Sequence, residues 1–249
     1  MKKFLALLSN ELQQIIRHPN REIIPVLCFG FFSYIGVQFG LTNLFPAIRN
    51  VETTLWFLPG LIIFYLVFST YQYANTKITE KVNSGYLMSL RSNSTSPWVY
   101  VLVFITDALI VSMLKAIIIV VIFAILVPDI GGFIPWIGIF GIGLLSGIFW
   151  AGSGIVLGLL RKEYLAASQI FSQIIIPLLA VTGLLVPSQV YPDQIELIAL
   201  IIPSTYSFEL ARAALGIGAI QGWMFFALTA WTIAAVSIAV YTLHTEDRR

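Results

Sequence analysis

Val99 to Val127 reads VYVLVFITDALIVSMLKAIIIVVIFAILV, and its only charged residues are Asp107 and Lys115. About 20 apolar residues in a helix cross a hydrocarbon core roughly 30 Å thick. This run is about nine residues longer than that, so a helix over it tilts or begins inside the interface. Outward from it, apolar runs of similar character lie at Ile23–Leu41, Leu55–Ala74, Trp136–Leu160, Gln169–Val186 and Gly222–Leu243. Six such runs in 249 residues leave little chain for a soluble domain. The expected fold is an all-α membrane protein with six transmembrane helices in a single domain, 1–249, with the lipid bilayer as its main solvent.

Composition agrees. Hydrophobic residues make up 58% and charged residues 10%, with a mean hydropathy of +0.90, whereas soluble domains carry about 25% charged residues. A net charge of +2 without a basic tract gives no footing for nucleic acid. Cys28 is the only cysteine, which rules out an intrachain disulfide. The Met1–Ser9 stretch is followed by Asn10, Glu11, Gln13 and Gln14 and by no small-residue cleavage site, so no removable signal peptide is expected.

The connections have their own signatures. Phe4, Leu5, Leu8, Leu12, Ile15 and Ile16 recur at helical spacing opposite Asn10, Gln13, Gln14 and Arg17, which predicts an amphipathic interface helix within 1–22. His18-Pro19-Asn20 breaks it, and Pro25 is placed in the first turn of the first span. Pro59-Gly60 is expected to bend the second span. Residues 75–98 form the longest polar stretch, and 187–221 is punctuated by Pro187, Pro192 and Pro203. Apolar pieces in that second segment, such as Ile195–Ile202, are too short to span and suit re-entrant or interfacial helices between the fifth and sixth spans.

Lys and Arg concentrate on the cytoplasmic side of membrane proteins. On this threading one side receives Lys2, Lys3, Arg17, Arg21, Lys77, Lys81, Arg91, Arg161, Lys162, Arg248 and Arg249. The other receives Arg49 and Arg212, with Lys115 inside a span. Both termini and the 75–98 loop are therefore expected in the cytoplasm, and 187–221 outside, in a multi-pass protein of the plasma or inner membrane.

No Gly-Lys-Ser or Gly-Lys-Thr occurs, so a phosphate-cradling ATPase loop is missing. His18 and His244 both fall outside the spans, which leaves no intramembrane Ser–His dyad and no histidine metal site. Ala151-Gly-Ser-Gly154 thus reads as packing, with Gly143/Gly147 and Gly154/Gly158 letting backbones approach closely. Asp107 is read as interfacial or structural, and Lys115 either snorkels toward an interface or faces a polar pathway. Tyr34 and Gln38 on the first span, Tyr65, Phe68 and Gln72 on the second, and Gln169, Ser172 and Gln173 on the fifth form polar or aromatic stripes. With Lys115 they are the candidate substrate pathway, against a purely interhelical bonding role. Thr182 and Gly183 follow farther along the fifth span. Trp56, Trp98, Trp136, Trp150 and Trp223 are assigned to the aromatic belts at the interfaces.

The order of these features resembles the type-2 permeases of ABC transporters, which include drug-resistance and lipopolysaccharide or teichoic-acid exporters. Ile16-Arg-His-Pro19 before the first span is similar to the family's arginine-x-proline junction. The loop Ile78-Thr-Glu-Lys-Val-Asn-Ser-Gly-Tyr-Leu-Met-Ser-Leu90 resembles its acidic–glycine–leucine segment. Pro187–Pro203 resembles its re-entrant helices, and Pro203-Ser-Thr-Tyr-Ser-Phe-Glu-Leu-Ala-Arg212 its proline–aromatic–acid–x–x–arginine ending. Val103-Phe104 stands where a glycine–lysine pair often opens the third span, and Arg91-Ser92 where leucine–proline is usual.

The resemblance implies a transport subunit that is not itself an enzyme. Two copies of the chain would form one channel, and two ABC ATPase subunits, which hold ATP and Mg, would drive it. Glu80, Gly85, Leu87, Met88, Leu90 and Arg91 would then couple the chain to the ATPase. Glu209 and Arg212 are read as an i, i+3 pair at the interface. The leading cargo is a hydrophobic or amphipathic small molecule, with a lipid-linked polysaccharide, or a stand-alone channel, as alternatives.

Overall fold

The computed structural model describes residues 19–42, 47–48, 51–84, 96–126, 133–160, 173–175, 177–184, 192–217 and 221–246. The amphipathic segment 1–17, both ends of the fifth apolar run, and Gly85, Leu87, Met88, Leu90, Arg91, Gln169 and Ser172 lie outside them. In chain order the helices are α1 (Pro19–Ile35), α2 (Thr53–Asn83), α3 (Pro97–Leu126), α4 (Phe133–Leu160), α5 (Asp193–Ile201), α6 (Pro203–Ala214) and α7 (Gly222–Glu246). α1 runs on into a π-helical stretch, Gly36–Leu41, and a second such stretch is Ala180–Leu184. Apart from helices there is a two-residue antiparallel pairing, β1 (Ala47–Ile48) with β2 (Val51–Glu52).

Five of these helices are long and apolar enough to span a bilayer, and the bent α5–α6 pair makes a sixth if it is taken as one broken span. α1 starts at Pro19, whose fixed φ and missing N–H suit a first turn. Pro25 therefore lies inside the helix rather than in its first turn. Pro59 also lies inside a helix, and α2 runs past it to Asn83. The helix thus takes up residues 75–83 of the long polar stretch.

α2 is the axis of the bundle. It lies against α4, α3 and α6, while α7 lies along α4 and α1 leans on α3. Leu58, Ile62, Ile63, Leu66 and Val67 on α2 are fully buried. α1 instead exposes Ile24, Leu27, Phe31 and Phe32, and α7 exposes Trp223, Phe226, Ile233 and Tyr241. Lipid tails are as apolar as these side chains, so such faces carry no penalty in a membrane.

Close approach of α2 and α4 depends on glycine. A Cβ at Gly143 would come 3.0 Å from Leu66 Cδ1, and one at Gly154 2.7 Å from the Tyr71 carbonyl oxygen. Across that gap the Asn75 side chain donates to the Gly154 carbonyl at 3.3 Å. This is the packing role read from the paired glycines.

α5 and α6 meet at 94°. Ile202 is extended between them, and Pro203 opens α6. The corner bares carbonyls at the end of α5, and α6 covers them with hydroxyls. Thr205 Oγ1 donates to Ala199 O at 2.5 Å, and the Tyr206 hydroxyl donates to Leu200 O. Thr205→Val keeps the shape and removes one of these bonds. It is expected to cost about 1 kcal/mol, read as a small fall in the thermal midpoint of the detergent-purified protein.

Candidate functional site

Polar side chains within the bundle concentrate on α2 and the elements that touch it. Near the Asn83 end, the Tyr73 hydroxyl donates to Asp107 Oδ2 on α3 at 2.9 Å, and Lys77 lies 5.6 Å from the Tyr73 ring centroid. One turn toward the middle, Ser112 donates to Ser69 at 3.3 Å. Asp107 and Ser112 are fully buried. A buried carboxylate needs donors, and Tyr73 supplies one. Asp107 is therefore an interior group of the α2–α3 seam.

The other end of α2 meets a second fully buried charge. Arg212, in the last turn of α6, is fully buried. Its Nη2 donates to Gly183 O at 2.5 Å and to Leu184 O at 3.0 Å. Glu209 lies 3.7 Å from Nη1, and the guanidinium sits 4.8 Å from the Trp56 ring centroid on α2. The local sequence explains the acceptors. Thr182 and Gly183 leave helical geometry, with φ of +102° at Gly183, a conformation that favours glycine. The two neighbouring carbonyls at this break accept from the two N–H bonds of the one nitrogen, Nη2.

At the far end of α6 the backbone meets its own last carbonyls. Gly216, at φ +77°, ends the helix, with Gly216 and Ile217 amides returning to Ala213 O and Arg212 O. On the opposite flank, Trp150 of α4 donates its indole N–H to Ser204 at 3.1 Å. A single short helix therefore contacts the axis helix, the 183–184 break and α4. Against this geometry, the family model described as ABC-2 type transporter matches residues 2–216, from ahead of α1 through the end of α6. The chain belongs to the ABC-2 type transporter family. Among curated proteins, none matches it.

An ABC-2 membrane domain is the permease component of an ABC transporter. It is not itself the catalyst, and the family works with an ABC ATPase. In this ABC-2 permease the sequence-predicted pathway residues fall in different surroundings. Tyr34 turns to α3, where its hydroxyl donates to Leu126 O at 3.4 Å and its ring meets Phe123 edge-on. Gln38, one turn on, instead accepts from Thr54 Oγ1 at 2.8 Å at the start of α2. Tyr65 is buried against Phe29, with ring centroids 4.5 Å apart, and Phe64 stacks on Phe68 at 5.9 Å. Gln72 and Gln173 are exposed, Lys115 is half-buried on α3, and Glu80 is exposed near the end of α2.

The i, i+3 pair of Glu209 and Arg212 lies on α6, with the arginine fully buried against protein and Glu209 partly exposed. One sequence reading is corrected. Of the five tryptophans, Trp98 and Trp223 are exposed as a belt requires, but Trp56, Trp136 and Trp150 are buried. Their indoles fill helix contacts, and two of them meet polar partners, Arg212 and Ser204.

Proposed function

We propose that this chain is the permease of an exporter in which two copies form the pathway and two separate ATPase subunits, holding ATP and Mg²⁺, supply the work. The observation that carries the reading is the family match over residues 2–216. The pairing of two copies has physical support in the axis of the bundle. A route through one copy would have to displace the fully buried Leu58, Ile62 and Leu66, and a route between copies leaves them in place. Both termini lie in the cytoplasm of a plasma- or inner-membrane protein on this reading. The support is the basic-residue count, eleven on one side against Arg49 and Arg212 on the other.

The cargo is a hydrophobic or amphipathic small molecule. What supports this is the aromatic column of Phe29, Phe64 and Phe68 between α1 and α2, with Tyr65 beneath it. The same rings suit the apolar faces of sugars, so a lipid-linked glycan is the second cargo to assay. Glu80 is the one proposed coupling residue among the described residues, and the docking segment continues through Gly85, Leu87, Met88, Leu90 and Arg91.

The test is Leu87→Asp in the chain co-expressed with its ATPase. Interface energy concentrates in a few buried apolar anchors, and losing one costs on the order of 2 kcal/mol, about a 30-fold loss of affinity. Capture of the ATPase and nucleotide-driven transport in vesicles are both expected to disappear, with membrane insertion unchanged. Retention of both by the variant would make the segment a linker and remove the proposed coupling role.

A further inference from the structure

We propose that Arg212 is a positioning residue of the transport cycle, a clasp that ties the 183–184 break to the Trp56 end of α2 and must open for turnover. The inference rests on the permease reading above and deepens it. Three observations lead to it.

The first is what the guanidinium joins. It binds the Gly183 and Leu184 carbonyls, pairs with Glu209 on its own helix, and lies on the Trp56 indole. These are three separate stretches of chain, two of which end at a bend. Gly183 has a positive φ and α5–α6 turn through 94°. Because the link to the two carbonyls is made by a side chain, it can separate without unwinding α6.

The second is the choice of residue. A buried ion is a poor way to gain stability alone, since well-packed apolar residues of similar volume commonly do as well or better. Ionisable groups deep in membrane domains are correspondingly tied to function more often than to packing. Arg212 is fully buried, and an apolar pair in place of Arg212 and Glu209 would fill the same space, whereas losing the arginine alone takes a partner from Glu209 and from both carbonyls.

The third is position along α2. The helix runs unbroken from Thr53 to Asn83. Trp56 and Gly60 stand at the Arg212 end, and Glu80 stands where the proposed docking segment begins. At 1.5 Å per residue the two are about 36 Å apart. A tilt imposed at Glu80 therefore reaches Trp56 through one rigid rod, and Trp56 is where the clasp closes. Gly60 lies against the same joint: a Cβ there would sit 3.2 Å from Leu184 Cδ1 and 3.6 Å from Arg212 Nη2.

The experiment uses the full complex with its ATPase in proteoliposomes, in a Cys28→Ser background. Gly60→Cys with Leu184→Cys, joined by oxidation or a short thiol crosslinker, holds the clasp shut. ATP turnover, measured as phosphate release, is expected to fall at least tenfold on crosslinking and to recover on reduction. Gly60→Cys alone, which needs no link to form, is expected to react with N-ethylmaleimide at least tenfold faster with ATP and vanadate than without nucleotide. Unchanged turnover in the crosslinked complex, or equal labelling rates in both states, would overturn the clasp and leave Arg212 a static support. A wild-type chain that recovers no ATPase and shows no nucleotide turnover would instead defeat the permease reading, and the clasp with it.

Discussion

Arg212→Met is expected to destabilise the bundle by on the order of 3 kcal/mol. The methionine fills most of the volume but donates nothing. The Gly183 and Leu184 carbonyls, at residues that are themselves buried, then lose their shared donor. Each buried acceptor left unmet costs about 1–3 kcal/mol. The cation over the Trp56 ring adds about 1–2 kcal/mol in a desolvated setting. Against these stand the relief of guanidinium desolvation and the apolar burial of methionine, which together return part of the loss. Arg212→Lys should fall between, because an ammonium keeps the charge and donors but loses the planar face that lies on the Trp56 ring. Thermal midpoints of the detergent-purified chain, with wild type beside both variants, decide the matter. Equal midpoints for all three would mean that the guanidinium contacts contribute nothing net.

That arginine also marks where sequence reading stops. Pro203-Ser-Thr-Tyr-Ser-Phe-Glu-Leu-Ala-Arg212 belongs to the proline-punctuated stretch 187–221, whose apolar pieces are too short to span and read as re-entrant or interfacial helices. Every residue in it except Glu209 is nevertheless buried. The polarity is absorbed locally, by hydroxyls that bond α5 carbonyls and by an arginine that bonds the 183–184 break. Composition counts polar atoms and cannot tell a solvated one from one satisfied by a distant carbonyl. The spans themselves, by contrast, are plain in Val99–Val127 and its counterparts, because hydrocarbon thickness alone sets their length. Which face of each span meets lipid was not legible. The outward Phe31 and Phe32 of α1 are no more apolar than the inward Leu58 and Leu66 of α2, and the period that betrays a buried face in water loses its contrast in lipid. The tryptophans divide for the same reason: an indole serves equally at a headgroup boundary and between two helices.

Gly154→Leu is expected to separate α2 from α4 and cost about 3 kcal/mol or more, beyond the usual range for an overpacked site. What a side chain would meet decides this. At Gly154 the first atoms are the Tyr71 carbonyl oxygen at 2.7 Å, the Asn75 amide nitrogen at 3.2 Å and Ala74 Cβ at 3.3 Å. Two of these are backbone and the third is fixed to it, so no rotamer change clears the space and the helices themselves must move apart. The Asn75 bond to the Gly154 carbonyl, already 3.3 Å long, is then lost. Leucine's better helix propensity returns under 1 kcal/mol, too little to reverse the sign. Gly141→Leu serves as the control, since a Cβ there meets nothing within 4 Å, and its midpoint should stay near that of wild type. Gly152→Leu tests a different seam, because its obstacle is the Ala235 backbone on α7 at 3.2 Å. If Gly154→Leu melts with wild type, α2 does not owe its place to α4. A helix free to shift at its middle would also be a poor rod between Glu80 and Trp56, so the same measurement bears on whether force applied at one end of α2 can arrive at the other.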